Sequence, residues 1–264
     1  MKTYQTIIIL FVIISICIFV FIFKNDKEKE VVIPSSIATT TDMFINHSND
    51  FYTISAQYPK ELKDRDFIME KDVLRIVNQK KEEWKIGGPV YSEEKLISLQ
   101  YPDRPILKYE LNIQYDKFES KKTDTVSYFF KNYEFTGGAH GGTGLMTYTF
   151  DKNGQVQVEN ILDLNGSNSL ALSKMLRDRL RVSLGELYNQ EMLDGGLGLQ
   201  FIKNGPISKS VGDDTFNFSL NFKHFVVLDE GIKFIFGQYQ VAPYATGMPE
   251  VVLTWRELGP YLKK

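Results

Sequence analysis

Cysteine is nearly missing from this 264-residue chain, and its one thiol, Cys17, falls inside an apolar run near the start. Everything beyond that run therefore lacks both a disulfide staple and a cysteine nucleophile. Histidine is scarce too. His47, His140 and His224 are scattered, with no His-x-x-x-His or His-Glu-x-x-His spacing, so no metal site is expected. Positive charge is not in excess: 31 Lys and Arg face 33 Asp and Glu, for a net charge of -2, and no strongly basic run occurs. Phosphate backbones need a basic face, which argues against nucleic acid as a partner. Gly-x-Gly-x-x-Gly, a Gly-Lys-Ser/Thr phosphate loop and Gly-x-Ser-x-Gly are all absent, so no cofactor and no hydrolase elbow are expected. Adjacent acids such as Glu82-Glu83, Glu93-Glu94 and Asp213-Asp214 read as solvated surface.

What is present begins with an anchor. Ile7 to Phe23 is apolar except for Ser15, long enough to cross a hydrocarbon core of roughly 30 Å at its short limit. A buried core helix would show a polar face, and this run has none. The sequence Phe21-Ile22-Phe23-Lys24-Asn25-Asp26 offers no small-residue cleavage site, and Ile16 stands where a lipobox before Cys17 would need a small residue. Residues 1–23 are therefore read as an uncleaved signal anchor. Lys24, Lys27 and Lys29 outnumber Lys2, so basic flanks alone favour the reverse orientation. The short, positively charged start resembles an export signal, and the expected topology is single-pass in the cell membrane with the bulk of the chain extracytoplasmic.

Residues 24–49, charged and then rich in Ser and Thr around Pro34, read as a linker. The folded part is expected from about Phe51, as a subdomain over 50–150 and a second over 151–264, interlocked. The predicted class is α+β, an antiparallel-sheet ectodomain with two main helices. Phe51–Tyr58 reads as a strand stopped by Pro59. Met69, Val73, Ile76, Val77 and Trp84 recur at helical spacing over about 66–84. Leu107, Tyr109, Leu111, Ile113 and Tyr115 alternate with polar residues, which predicts an antiparallel strand with one wet face. Further strands are predicted over 126–135 and 144–150, with Asp151-Lys152-Asn153-Gly154 turning into a hairpin partner over 155–159. A helix capped by Ser167 or Asn168 carries the stripe Leu172, Leu176, Leu180, Leu184 and Leu187. Alternating Phe216, Phe218, Leu220 and Phe222 predict a strand, followed by a meander over 226–236, a strand over 251–253 and a terminal helical turn.

Two segments stand out as candidate sites. Phe135-Thr136-Gly137-Gly138-Ala139-His140-Gly141-Gly142-Thr143-Gly144 can expose backbone N–H groups at its glycines, and His140 sits at its centre. The stretch from Gln238 to Val251 packs Tyr239 and Tyr244 among Pro243, Gly247 and Pro249. The simplest reading of both is a tight structural connection. The functional reading is a ligand-binding surface of Gly137, Gly138, His140, Tyr239 and Tyr244, aromatic residues being favoured at interfaces.

The run Tyr133-Glu134-Phe135-Thr136-Gly137-Gly138-Ala139-His140-Gly141, taken with Asp163-Leu164 and Tyr239-Gln240-Val241-Ala242-Pro243-Tyr244-Ala245-Thr246-Gly247-Met248-Pro249, resembles an exported domain family of unknown function. That family is found in RsiV-type anti-sigma factors, whose exported region recognises lysozyme, and ahead of the catalytic domain of PdaC-type peptidoglycan deacetylases. The resemblance runs over nearly all of residues 50–264. It implies a stand-alone, non-enzymatic binding module of a bacterial envelope, its ligand a lysozyme-like protein or a cell-wall glycan. The handful of residues ahead of the anchor would not hold a sigma factor. The alternatives are a cell-wall-acting hydrolase with His140 as general base, and an accessory subunit of an envelope complex.

Overall fold

The computed structural model describes residues 42–60, 65–87, 108–165, 167–198 and 221–263. The proposed anchor over 7–23 and the predicted strand of Phe216, Phe218 and Leu220 lie outside them. Among the described residues no helix is long and apolar enough to cross a membrane.

A six-stranded sheet carries the first half. Its strands are β1 (Asp42–Ser48), β2 (Tyr52–Pro59), β3 (Tyr109–Ser120), β4 (Thr125–Phe135), β5 (Gly142–Asp151) and β6 (Gly154–Val156), in that spatial order. Helix α1 (Arg65–Gly87) lies in sequence between β2 and β3. Its Met69, Val73, Val77 and Trp84, spaced to share one face, are buried against Ile54, Leu111, Ile113, Phe130 and Tyr148. Trp84 reaches both Tyr52 and Tyr109, with ring centroids 5.6 Å away in each case.

The sheet corrects two expectations. β3 does alternate buried and wet residues as predicted, and it pairs antiparallel with β4. Its other neighbour is parallel, with Tyr52 opposite Tyr109 and Ile54 opposite Leu111, because α1 carries the chain back to the starting end before β3 begins. The second correction is β1, which falls within the segment read as linker. It pairs antiparallel with β2, and Met43 and Ile45 pack on the α1-side core while Phe44 between them stays exposed. Asn49 makes the turn, its Oδ1 accepting from the N–H groups of Phe51 (2.8 Å) and Tyr52 (2.9 Å).

The β5–β6 hairpin forms at Asp151–Gly154, where Asp151 Oδ1 accepts from the Asn153 and Gly154 N–H groups. β6 stops earlier than predicted. Asn160 Oδ1 takes the Gln157 N–H at 2.7 Å and helical turn α2 (Val158–Ile161) begins instead. Helix α3 (Asn168–Leu184) buries Leu172, Leu176, Leu180 and Leu184. Ser167 occupies the cap position without a side-chain bond. Leu187, counted in the stripe, is exposed, since the helix ends at Gly185 with φ +52° and a 3-10 turn follows. Helix α4 (Gln190–Gly196) is capped by Asn189, which accepts from the Met192 N–H. Phe222 is buried, but it follows a helical end rather than lying in a strand.

A three-stranded antiparallel sheet completes the chain: β7 (Phe225–Val227), β8 (Gly231–Ile235) and β9 (Glu250–Thr254), followed by helical turn α5 (Trp255–Leu258). It packs with α3 and α4 in a second apolar cluster that includes Phe222, Phe234 and Leu253. A small third cluster, Phe129 with Val226 and Ile235, joins the far face of β4 to this sheet. Ser127 ties the two together as well: its hydroxyl pairs with Thr149 Oγ1 at 2.9 Å and accepts the Val227 N–H at 3.0 Å, all buried.

Candidate functional site

Thr136–Gly141 connects β4 to β5. Gly137 has φ +88°, a conformation few side chains tolerate, and Gly141 is buried so tightly that a Cβ there would strike the Tyr133 ring. Beyond the turn, Gly142 and Gly144 leave the β5 backbone bare. Strand alternation puts Asn132 and Glu134 on the face of Tyr128 and Phe130, toward α1. There Lys80 Nζ contacts Glu134 at 2.8 Å and Glu83 at 2.9 Å. Burial works against the Lys80 charge, but its hydrogen bonds to the two carboxylates outweigh that and hold its pKa above the ordinary lysine value.

The second candidate segment folds over this turn. His140 and Tyr244 stack, with ring centroids 4.0 Å apart and planes inclined by 24°. The His140 Nδ1 lies 2.9 Å from the Gly141 carbonyl, and the Tyr244 hydroxyl donates to that same oxygen at 2.9 Å. Tyr239 tilts against Tyr244 at 5.6 Å. Its backbone is left-handed at φ +62° and its side chain is 56% exposed, so an aromatic ring is held in solvent at a strained position. Gln238 Oε1 accepts the Thr143 N–H at 2.8 Å. Gln240 locks the loop from within, accepting the Gly237 N–H and donating to the Asn221 carbonyl.

Between these parts lies an open groove of about 630 Å³. Ile76, Gln79 and Lys80 of α1 form one wall, Leu111, Asn132 and the bare glycines the floor, and His140, Tyr239 and Tyr244 the opposite rim. Gly138 lines it; Gly137 shapes the turn without lining it. The fold thus brings together four of the five predicted site residues, from segments about a hundred positions apart in the chain. It adds Lys80, Glu134, Asn132 and Gln238. Asn132 lines the groove, while its Oδ1 is buried out of reach of solvent with no hydrogen-bond partner among the described residues. Lys80 left no signal in the sequence, because its role depends on α1 crossing the sheet; Glu134 stood within the singled-out run. Among the described residues no three His, Cys, Asp or Glu side chains converge as metal ligands would. The groove thus carries a fixed Lys80–Glu134 ion pair on one side and an aromatic edge on the other.

Residues 183–256 match a family model described as a protein of unknown function, DUF3298. That span runs from the end of α3 through α4 and the second sheet into α5. No curated protein matches the chain. Among solved structures, the chain is similar to a DUF3298 family member from Bacteroides fragilis, with 17% identity and a TM-score of 0.53, covering 84% of this chain and 92% of that one. It is also similar to a DUF3298 family protein from Pseudomonas aeruginosa, with 15% identity and a TM-score of 0.50, covering 84% of this chain and 94% of the other. At such identities the likeness is one of fold.

Proposed function

We propose that this chain is a membrane-anchored, extracytoplasmic binding module of a bacterial envelope, and that the groove beside His140 takes its ligand, a lysozyme-like protein or a cell-wall glycan. The observation that carries the reading is the exposed Tyr239 ring, held by a strained backbone beside the His140–Tyr244 stack at the rim of the groove. Strain of this kind destabilises a fold by about 1–3 kcal/mol and clusters at ligand-contacting positions. The resemblance of the His140 and Tyr244 segments to the RsiV-type ectodomain points the same way, as does the apolar run ahead of the linker. A hydrolase would use His140 through Nε2, its Nδ1 being turned toward the Gly141 carbonyl, and would cleave the wall fragments rather than only bind them.

The test is binding of the full chain, reconstituted in nanodiscs, to a muramidase and to solubilised peptidoglycan fragments. One of the two should bind saturably, and Tyr239→Ala should weaken that binding about tenfold or more. Absence of binding to both, or binding indifferent to Tyr239→Ala, overturns the reading.

A further inference from the structure

The groove occupies one end of the large sheet. The other end holds a second and larger cavity, of about 730 Å³, that the proposed function does not use. β4 runs from Thr125 at this cavity to Phe135 near the groove, and its length at strand rise separates the two by roughly 30 Å. The cavity opens where the turns of the first sheet meet the second: Thr123 comes from the β3–β4 turn, Thr125 from the start of β4, Asn153 from the β5–β6 turn, and Val227 from β7. Its volume is that of a small-molecule site, and such sites favour junctions of this sort.

Its lining is divided. Val227 is buried and Val156, Ile161 and Leu262 are partly buried, so the floor is apolar. Trp255 forms a wall whose orientation is fixed, since its Nε1–H donates to the Asp229 carbonyl at 3.0 Å. The rim carries two ammonium groups, Lys122 and Lys263, and both are exposed. Neither has an ion-pair partner among the described residues; Lys122 Nζ instead stands 5.7 Å from the centre of the Trp255 ring. The one carboxylate in the lining, Asp151, is engaged in its own turn, accepting from Asn153 and Gly154. The segment bearing Lys263 is pinned in place: its N–H donates to the Ile161 carbonyl at 2.9 Å, and Leu262 bridges to Leu162.

An apolar floor, one indole wall and two ammonium groups that outnumber the one carboxylate at the mouth call for a ligand of matching division. We infer that this cavity binds a small amphipathic anion, an apolar body seated against Trp255 carrying one carboxylate or phosphate at Lys122 and Lys263. Charge complementarity sets the head group, and cavity size limits the body to a few rings or a short chain. The inference is independent of the groove, sharing no residue with it.

The chain has two tryptophans, Trp84 and Trp255, so 5-fluorotryptophan labelling of the full chain in zwitterionic nanodiscs yields two fluorine signals, assigned with Trp255→Phe. Titrants are 2-naphthoate, 1-naphthyl phosphate and the neutral 2-naphthylmethanol. The Trp255 signal should shift saturably with an anion while the Trp84 signal stays still, and the tighter anion identifies the head group. The neutral alcohol, and either anion with the Lys122→Ala/Lys263→Ala variant, should bind about tenfold more weakly. A Trp255 signal that ignores both anions overturns the inference, as does equal affinity for the alcohol or for the double variant.

Discussion

At the scale of single residues, close backbone approaches make the sharpest predictions. Gly196 ends α4 directly under the tyrosine loop, and a Cβ there would overlap the Gln240 carbonyl, which is backbone and cannot swing aside. Gly196→Ala should therefore cost about 3 kcal/mol in a urea titration, the upper range for forcing an atom into a packed site. His224 gives a pH dependence. Burial, aided by the neighbouring Lys223 charge, lowers its pKa from 6.5 to about 4. The unfolded chain then binds a proton more readily than the folded one between those values, so stability is full above pH 6.5 and falls as the pH drops toward 4. The loss should be on the order of 2–3 kcal/mol, and His224→Gln should flatten that part of the stability–pH curve.

At the scale of elements, α3 separates burial from hydrophobicity. Leu176 is fully buried and Leu176→Ala should cost about 2–5 kcal/mol, whereas Val182, 81% exposed on the same helix, should tolerate Ala within about 0.5 kcal/mol. Arg177 reaches from α3 to the buried Asp194 of α4 at 2.5 Å, and Arg177→Met should lower stability by about 1–3 kcal/mol by removing the cation from a carboxylate that keeps its hydrogen bond from Gln190. Thermal or urea midpoints decide all three. Periodicity made such elements legible: Met69, Val73 and Val77 announced α1, and the alternation from Tyr109 announced β3. What alternation cannot report is the direction of the neighbouring strand, since it records only which face is buried, and so the parallel β2–β3 ladder was not legible. β1 escaped because an edge strand whose apolar contribution to the core is Met43 and Ile45 barely departs from linker composition. In the groove, His140 and Tyr244 were each legible as unusual residues in unusual glycine- and proline-rich company. Their stacking on each other, and the arrival of Lys80 beside Glu134, are products of tertiary folding.

At the scale of the whole molecule, Ser120 to Asp229 and Thr147 to Lys223 link the two halves by hydrogen bonds near the surface, and Ser127 does so from a buried position. Ser127→Ala would leave the Val227 N–H without its acceptor, at a cost of about 1–3 kcal/mol. Because Phe129, Val226 and Ile235 still join the two halves, calorimetry of this variant should show one transition at a lower temperature. Splitting into two transitions would mean that the serine, not the apolar seam, couples the sheets.

The parallel β2–β3 ladder has a consequence for how the chain reaches this state. β3, β4 and β5 can zip through short turns, each step closing a small loop, but Tyr52 can meet Tyr109 only after α1 and everything else between them has been enclosed. The meander is therefore the natural nucleus, and the β1–β2 pair joins after the rate-limiting barrier. Phe130→Leu should slow refolding in stopped-flow experiments, while Ile45→Val should leave refolding unchanged and quicken unfolding. A newly made chain would expose its first two strands longest, so the edge nearest the proposed anchor is the part of the domain most open to mispairing before folding is complete.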